Sequence, residues 1–109
     1  MYGAIIGDIV GSQFEFDRGN KTREFELFTD RCSITDDTVM TVAVADALMK
    51  ENEKAGAEGH KPTSAQIESH VRHSMRKWAR VYPNAGYGVR FYTWLHTEDA
   101  KPYGSCGNG

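Results

Sequence analysis

One stretch constrains this chain more than any other. From Val39 to Met49 the residues are Val39, Met40, Thr41, Val42, Ala43, Val44, Ala45, Asp46, Ala47, Leu48 and Met49, so only Thr41 and Asp46 interrupt an apolar run. Apolar residues nearly all the way round predict a helix that other elements must cover. Thr35 stands where an N-cap belongs, and Asp36 and Asp37 fill the first turn, where negative charge is favoured. The predicted helix covers residues 35–54. A chain of 109 residues suits one domain built around it and leaves no room for a second. At that size about two-thirds of the unfolded surface is expected to be buried.

The segments on either side predict the cover. Ile5, Ile6, Ile9 and Val10 fall at i, i+1, i+4 and i+5, which reads as a helix over residues 4–16. Gly3, Gly7 and Gly11 line one face of it. Glycine in a helix costs about 1 kcal/mol against alanine. Three on one stripe predict a closely approaching backbone or ligand, with a fraying terminal segment as the alternative. Asp17, Arg18, Gly19, Asn20, Lys21 and Thr22 open a polar stretch read as a long loop over residues 17–34. Residues 55–62 form a breaker-rich loop. Thr63 and Gln66 make a capping box, and Ile67, Val71, Met75 and Trp78 recur at helical spacing up to the turn at Pro83. A short helix over residues 89–95 follows. No alternating strand pattern occurs, so the expected fold class is all-α, with about four helices.

Charge narrows the function classes. The net charge of −2 argues against a general nucleic-acid or anionic-membrane binder. No apolar run approaches the roughly 18 residues that cross a bilayer. Met1 to Asp8 lacks a basic start, so no signal peptide is expected. Cys32 and Cys106 form no CxxC pair and are read as reduced thiols in a cytoplasmic protein. Residues 1–59 hold 12 acids and 6 bases, and residues 60–109 hold 3 acids and 7 bases. Such halves suit cations and phosphates respectively, although simple mutual attraction is the plainer reading.

Thr35-Asp36-Asp37-Thr38 is the most informative spot. Consecutive helical positions point about 100° apart, so two carboxylates can flank one site at a helix tip. Burying them is costly unless something neutralises them, and a hard divalent cation held by carboxylate, hydroxyl and water oxygens would do so. Ordinary solvent-exposed capping accounts for the same residues. Asp8 and Glu15 lie seven apart, about two turns, and so share a face. Asp8 sits among isoleucines and needs a partner if buried. Glu15 stands between Phe14 and Phe16, where desolvation would fit it for general acid–base work; a surface carboxylate beside Arg18 is the alternative. Gly104-Ser105-Cys106-Gly107-Asn108-Gly109 offers unobstructed backbone N–H groups of the kind that bind phosphates or hydroxyls, a weak signal by itself. His60, His70, His73 and His96 are scattered. His70 and His73 permit a metal pair, but with Arg72, Arg76, Lys77 and Arg80 they read more simply as a solvated basic face. The aromatics Tyr87, Phe91, Tyr92 and Trp94 read as core rather than as a base-stacking surface.

Taken in order, these residues resemble the ADP-ribosylglycohydrolase family, which includes the dinitrogenase-reductase-activating glycohydrolases. The segment from Gly3 to Ser12, with Glu15 following, is similar to the family's first helix. Thr35-Asp36-Asp37-Thr38-Val39-Met40 is similar to its metal-binding signature, and Ser105-Cys106-Gly107-Asn108-Gly109 to its glycine-rich substrate loop. Lys21-Thr22, Phe25, Leu27-Phe28 and Val42-Ala43-Val44-Ala45 resemble bacterial members.

The resemblance implies an orthogonal helical bundle, two Mg²⁺ ions, and hydrolysis of the glycosidic bond joining ADP-ribose to a protein side chain or small-molecule acceptor. It implies Thr35, Asp36 and Asp37 as metal ligands. Glu15 becomes the acid–base or orienting carboxylate, and Ser105, Gly107 and Asn108 hold the ADP-ribose. The family's second metal-binding motif, rich in aspartate, has no counterpart here. Residues 1–109 are therefore expected to be the N-terminal part of such a domain, with an incomplete second metal site and little activity alone. The expected alternative is a non-catalytic module binding metal or ADP-ribose. Exposed apolar surface over residues 39–49 is expected to favour self-association. Neither nucleic acid nor membrane is an expected partner.

Overall fold

A computed structural model of the protein describes residues 1–17 and 22–105. It contains four helices, α1 (Tyr2–Ser12), α2 (Asp36–Glu58), α3 (Ser64–Val81) and α4 (Val89–His96), and no strand among the described residues. The all-α expectation holds. Within the expected loop, Arg18, Gly19, Asn20 and Lys21 lie outside the described residues, as do Cys106, Gly107, Asn108 and Gly109. The helices pack in chain order: α2 lies against α1 and, most extensively, against α3, which in turn carries α4.

Two helix boundaries differ from the sequence-based expectation for local reasons. α1 ends at Ser12, not Phe16. The Ser12 hydroxyl donates to Ile9 O at 2.7 Å and accepts Ser33 N–H at 2.9 Å. The Gln13 amide donates to Val10 O at 3.1 Å, Glu26 O at 3.2 Å and Leu27 O at 3.4 Å. Thr29 Oγ1 completes this knot by donating to Gln13 Oε1 at 3.1 Å. The loop thus binds to the end of α1, and the buried Gln13 satisfies backbone carbonyls that no helix uses. α2 instead runs four residues past Lys54 and stops at Gly59, whose φ of 71° supplies the left-handed cap that only glycine adopts without cost. The Thr63–Gln66 capping box forms as expected: Thr63 Oγ1 accepts Gln66 N–H, and Gln66 Oε1 accepts Thr63 N–H at 2.8 Å.

The α2–α3 seam is built from small residues. Ala43, Ala47, Ser74 and Ala79 are all buried there, which lets the two backbones approach closely. Ser74 Oγ donates to Ala43 O at 2.7 Å. Asp46, one of the two polar interruptions of the apolar run, turns toward α3 and accepts Trp78 Nε1–H at 3.2 Å while pairing with Lys50 at 2.8 Å. Buried Glu51 faces His70, with Oε1 and Nδ1 2.6 Å apart but no hydrogen bond aligned between them. Asp46 and Glu51 thus carry polar contacts from α2 to α3. Two arginines of α3 turn elsewhere: Arg76 Nη2 donates to Thr97 O at 2.8 Å and Arg72 Nη1 to Ala100 O at 3.4 Å. With the Arg76 guanidinium 5.3 Å from the Trp94 ring centroid, these two fasten the segment after α4, while His73, Lys77 and Arg80 are exposed, as a solvated face requires.

Burial falls short of the expected two-thirds. The accessible surface is 8269 Å², against roughly 6,000 Å² for a compact chain of this mass. α2 is central but covered on two sides only, which leaves Leu48 and Met49 exposed. The glycine stripe of α1 also departs from expectation. Among the described residues, no atom of another element lies within 4 Å of a Cβ placed at Gly3, Gly7 or Gly11. Among the described residues, no helix is long and apolar enough to cross a membrane.

Asp46→Ala is expected to lower stability at neutral pH by about 1.5 kcal/mol, since it removes the charged acceptor of Trp78. The hydrogen bond from Lys50, aided by that from Trp78, holds the Asp46 carboxyl below the usual carboxylate range. A depressed folded-state pKa stabilises above the unfolded value, and that contribution is lost as pH falls through the folded one. Urea unfolding across acid pH should therefore show the wild-type advantage shrinking as the solution becomes acidic.

Candidate functional site

The amino end of α2 is where the carboxylates gather. Thr35 is its N-cap residue, with extended backbone at φ −103° and ψ 176°, but its side chain makes no capping hydrogen bond. Thr35 Oγ1 instead donates to Asp8 Oδ2 of α1 at 2.6 Å, and Thr38 Oγ1 donates to the same oxygen. Both threonines are buried, and Asp8 is half-buried. Asp8 thus has the partners that its apolar surroundings demanded. The sequence located the demand; only the packing of α1 on α2 names Thr35 and Thr38 as the answer.

Asp36 is half-buried and Asp37 exposed. Burial pushes the Asp36 carboxyl above its ordinary range. The adjacent Asp37 charge adds to this, and the Glu15 charge contributes further, while backbone N–H groups at Asp36 and Asp37 oppose it. Asp36 takes part in none of the ion pairs formed among the described residues. Glu15 lies in the turn after α1 and is exposed, close enough to bear on Asp36 yet no longer on a common helical face with Asp8. Tyr87, just before α4, is part of the same neighbourhood. Its hydroxyl donates to Tyr82 O at 2.9 Å, and burial followed by the Asp36 charge raises its pKa. The sequence reads Tyr87 as a core aromatic; it is only half-buried, and only the return of the chain along α3 brings it near Asp36.

Asp36 and Asp37 are among the residues lining an open groove of about 970 Å³. Ile67, Val71 and Met75 of α3 and Phe91 and Trp94 of α4 line its wall, and Tyr103 and Ser105 lie along it. The Phe91 and Trp94 rings stack at 5.7 Å, and the Arg90 guanidinium sits 4.6 Å from the Tyr103 centroid. The structure therefore brings Asp36, Asp37 and Ser105 to one cavity and sets Glu15 near Asp36. Gly107 and Asn108 lie outside the described residues.

The model of one protein family, ADP-ribosylglycohydrolase, matches residues 1–109. The chain belongs to the ADP-ribosylglycohydrolase family. Its activity class is accordingly that of a glycohydrolase. Searches of curated proteins and of solved structures found no match. Metal-dependent activity is the expectation that comes with this glycohydrolase family. Among the described residues, no three His, Cys, Asp or Glu side chains converge as a metal cluster. The tip of α2 still suits a hard cation: its donors are hydroxyl and carboxylate oxygens, and the half-buried Asp36 joins no ion pair among the described residues.

A carboxyl whose folded-state pKa is raised stabilises the fold only while protonated, and that contribution is lost as pH rises through the folded value. Asp36→Asn should therefore stabilise the metal-free glycohydrolase chain at neutral pH. The gain in melting temperature should vanish in acid, below the ordinary carboxylate range. A variant less stable than wild type at neutral pH would contradict the burial and charge repulsion assigned to Asp36.

Proposed function

We propose that this chain acts in hydrolysis of the glycosidic bond between ADP-ribose and an acceptor, either a protein side chain or a small molecule, with Mg²⁺ held by Thr35, Asp36 and Asp37. The observation that carries this reading is the half-buried Asp36 beside Asp37, both lining a groove shared with Ser105. The groove's volume of about 970 Å³ is at the upper end of the range of ligand sites, and its apolar wall with a few polar groups has their usual make-up.

Each residue has a distinct role in this reading. Asp36, Asp37 and Thr35 supply hard oxygen donors. A divalent cation bound there would supply charge stabilisation and lower the pKa of a bound water. Glu15, exposed and near Asp36, accepts or returns a proton beside the reacting ribose, or orients its hydroxyls. Ser105 meets the ADP-ribose along the groove, and Gly107 and Asn108 complete that contact. The stacked Phe91 and Trp94 rings exclude water from the wall they form. In this proposal residues 1–109 form the amino-terminal part of the catalytic domain and supply the first of two metal positions. The exposed Leu48 and Met49 give α2 a surface for self-association.

Calorimetry tests the binding half. Mg²⁺ and ADP-ribose should each give heat with the wild type. Asp36→Ala/Asp37→Ala should lose the Mg²⁺ signal by at least tenfold in affinity, as expected when ligands rather than outer groups are removed. Equal binding by the variant would end the metal assignment. Release of ADP-ribose from a modified protein tests the catalytic half. Binding without turnover would favour a non-catalytic metal- and ADP-ribose-binding module.

A further inference from the structure

We infer that Asp8 is a positioning residue, one that reserves the Thr35 hydroxyl oxygen for a ligand at the tip of α2. The inference rests on the metal site proposed above for Thr35, Asp36 and Asp37. It starts from a contrast within the chain. Thr35 and Thr63 are both N-cap threonines with extended backbone, one heading α2 and the other α3. Thr63 behaves as N-cap threonines do, its Oγ1 accepting the N–H of Gln66. Thr35 makes no such bond, and its hydroxyl turns to Asp8 Oδ2 at 2.6 Å.

Proton counting shows what this does. An ionised carboxylate oxygen has no proton to give, so Thr35 and Thr38, which share Asp8 Oδ2, must both donate. The single hydroxyl proton of Thr35 is thereby committed, and its oxygen can act toward any third group only as an acceptor or ligand. Withdrawal from the capping role keeps that acceptor capacity from being spent on the backbone of α2. Thr35 is 8% exposed and Thr38 5%, so water competes poorly for either hydroxyl. Forgoing a local stabilising bond at one helix start while making it at another marks a site under functional constraint.

Asp8 acts through Thr35 and is not itself assigned as a ligand, and two measurements on the 109-residue chain separate positioning from simple tethering of α1 to α2. The first needs no metal. Scalar couplings to the Thr35 methyl should report one χ1 rotamer in wild type and in Asp8→Asn, which keeps an oxygen acceptor. In Asp8→Ala they should report averaging or a switch to the capping rotamer. The second is Mg²⁺ calorimetry. Asp8→Ala should lose about ten- to a hundredfold in affinity, the usual consequence of removing a group that orients a ligand. Asp8→Asn should restore most of it. Thr38→Val, which also removes a tether between the helices, should leave both readouts as in wild type.

A fixed Thr35 rotamer in folded Asp8→Ala overturns the inference. So does an equal loss of Mg²⁺ affinity in Thr38→Val and Asp8→Ala, which would make Asp8 a tether only. If the wild type gives no heat with Mg²⁺, the proposed metal site fails, and the metal-free couplings alone decide whether Asp8 positions Thr35. Should Asp8→Ala not fold, Asp8→Glu takes its place, because it keeps the charge while moving the oxygens by one methylene, and the same losses are expected.

Discussion

The contact on which the rest of the structure depends is the meeting of α1 and α2 at Asp8, where one carboxylate oxygen receives the hydroxyls of Thr35 and Thr38. A half-buried carboxylate gains from hydrogen-bond donors, and buried hydroxyls are expensive unless they find an acceptor. Each solves the other's problem, and the solution places the tip of α2 against the middle of α1. With α1 so placed, Ser12 and Gln13 at its end can take hold of residues 26–33, and Glu15 comes near Asp36. The acidic lining of the groove is therefore a consequence of how α1 and α2 satisfy their polar groups.

The opposite face of α2 follows different physics. Small residues let α3 come close, and the gain there is dispersion and apolar burial, with Asp46 and Glu51 adding polar contacts. α4 does not reach α2 as a packed pair but lies on α3, and the offset between them leaves the groove open. Arg72 and Arg76 stiffen that geometry by holding the carbonyls of Thr97 and Ala100. One consequence is an accessible surface well above that of a compact chain of equal mass. Another is that Asp36 is half-buried and joins no ion pair among the described residues, and burial raises its pKa.

Much of the fold was legible because its signals are local. The spacing of Ile67, Val71, Met75 and Trp78 specified α3, the Thr63–Gln66 pair specified its start, and the run from Val39 to Met49 specified α2. The errors came where a local pattern met a distant partner. Gln13 ends α1 early because loop carbonyls claim its amide, and a stripe of glycines on α1 found no neighbour among the described residues. On the basic face of α3, only Arg72 and Arg76 depart from the solvated reading, because nothing near them in sequence reveals the carbonyls after α4.

The candidate site divides in the same way. The sequence by itself determined that Thr35, Asp36 and Asp37 sit together at a helix start, because residues adjacent in a helix stay adjacent in space. It also placed the chain in its family through the order of three short segments. Tertiary structure alone decided that Thr35 turns from capping to Asp8, that Glu15 and Tyr87 approach Asp36, and that Ser105 shares its groove. Those outcomes depend on which buried groups find each other across tens of residues. That pairing is set by packing and desolvation, which a linear pattern does not carry.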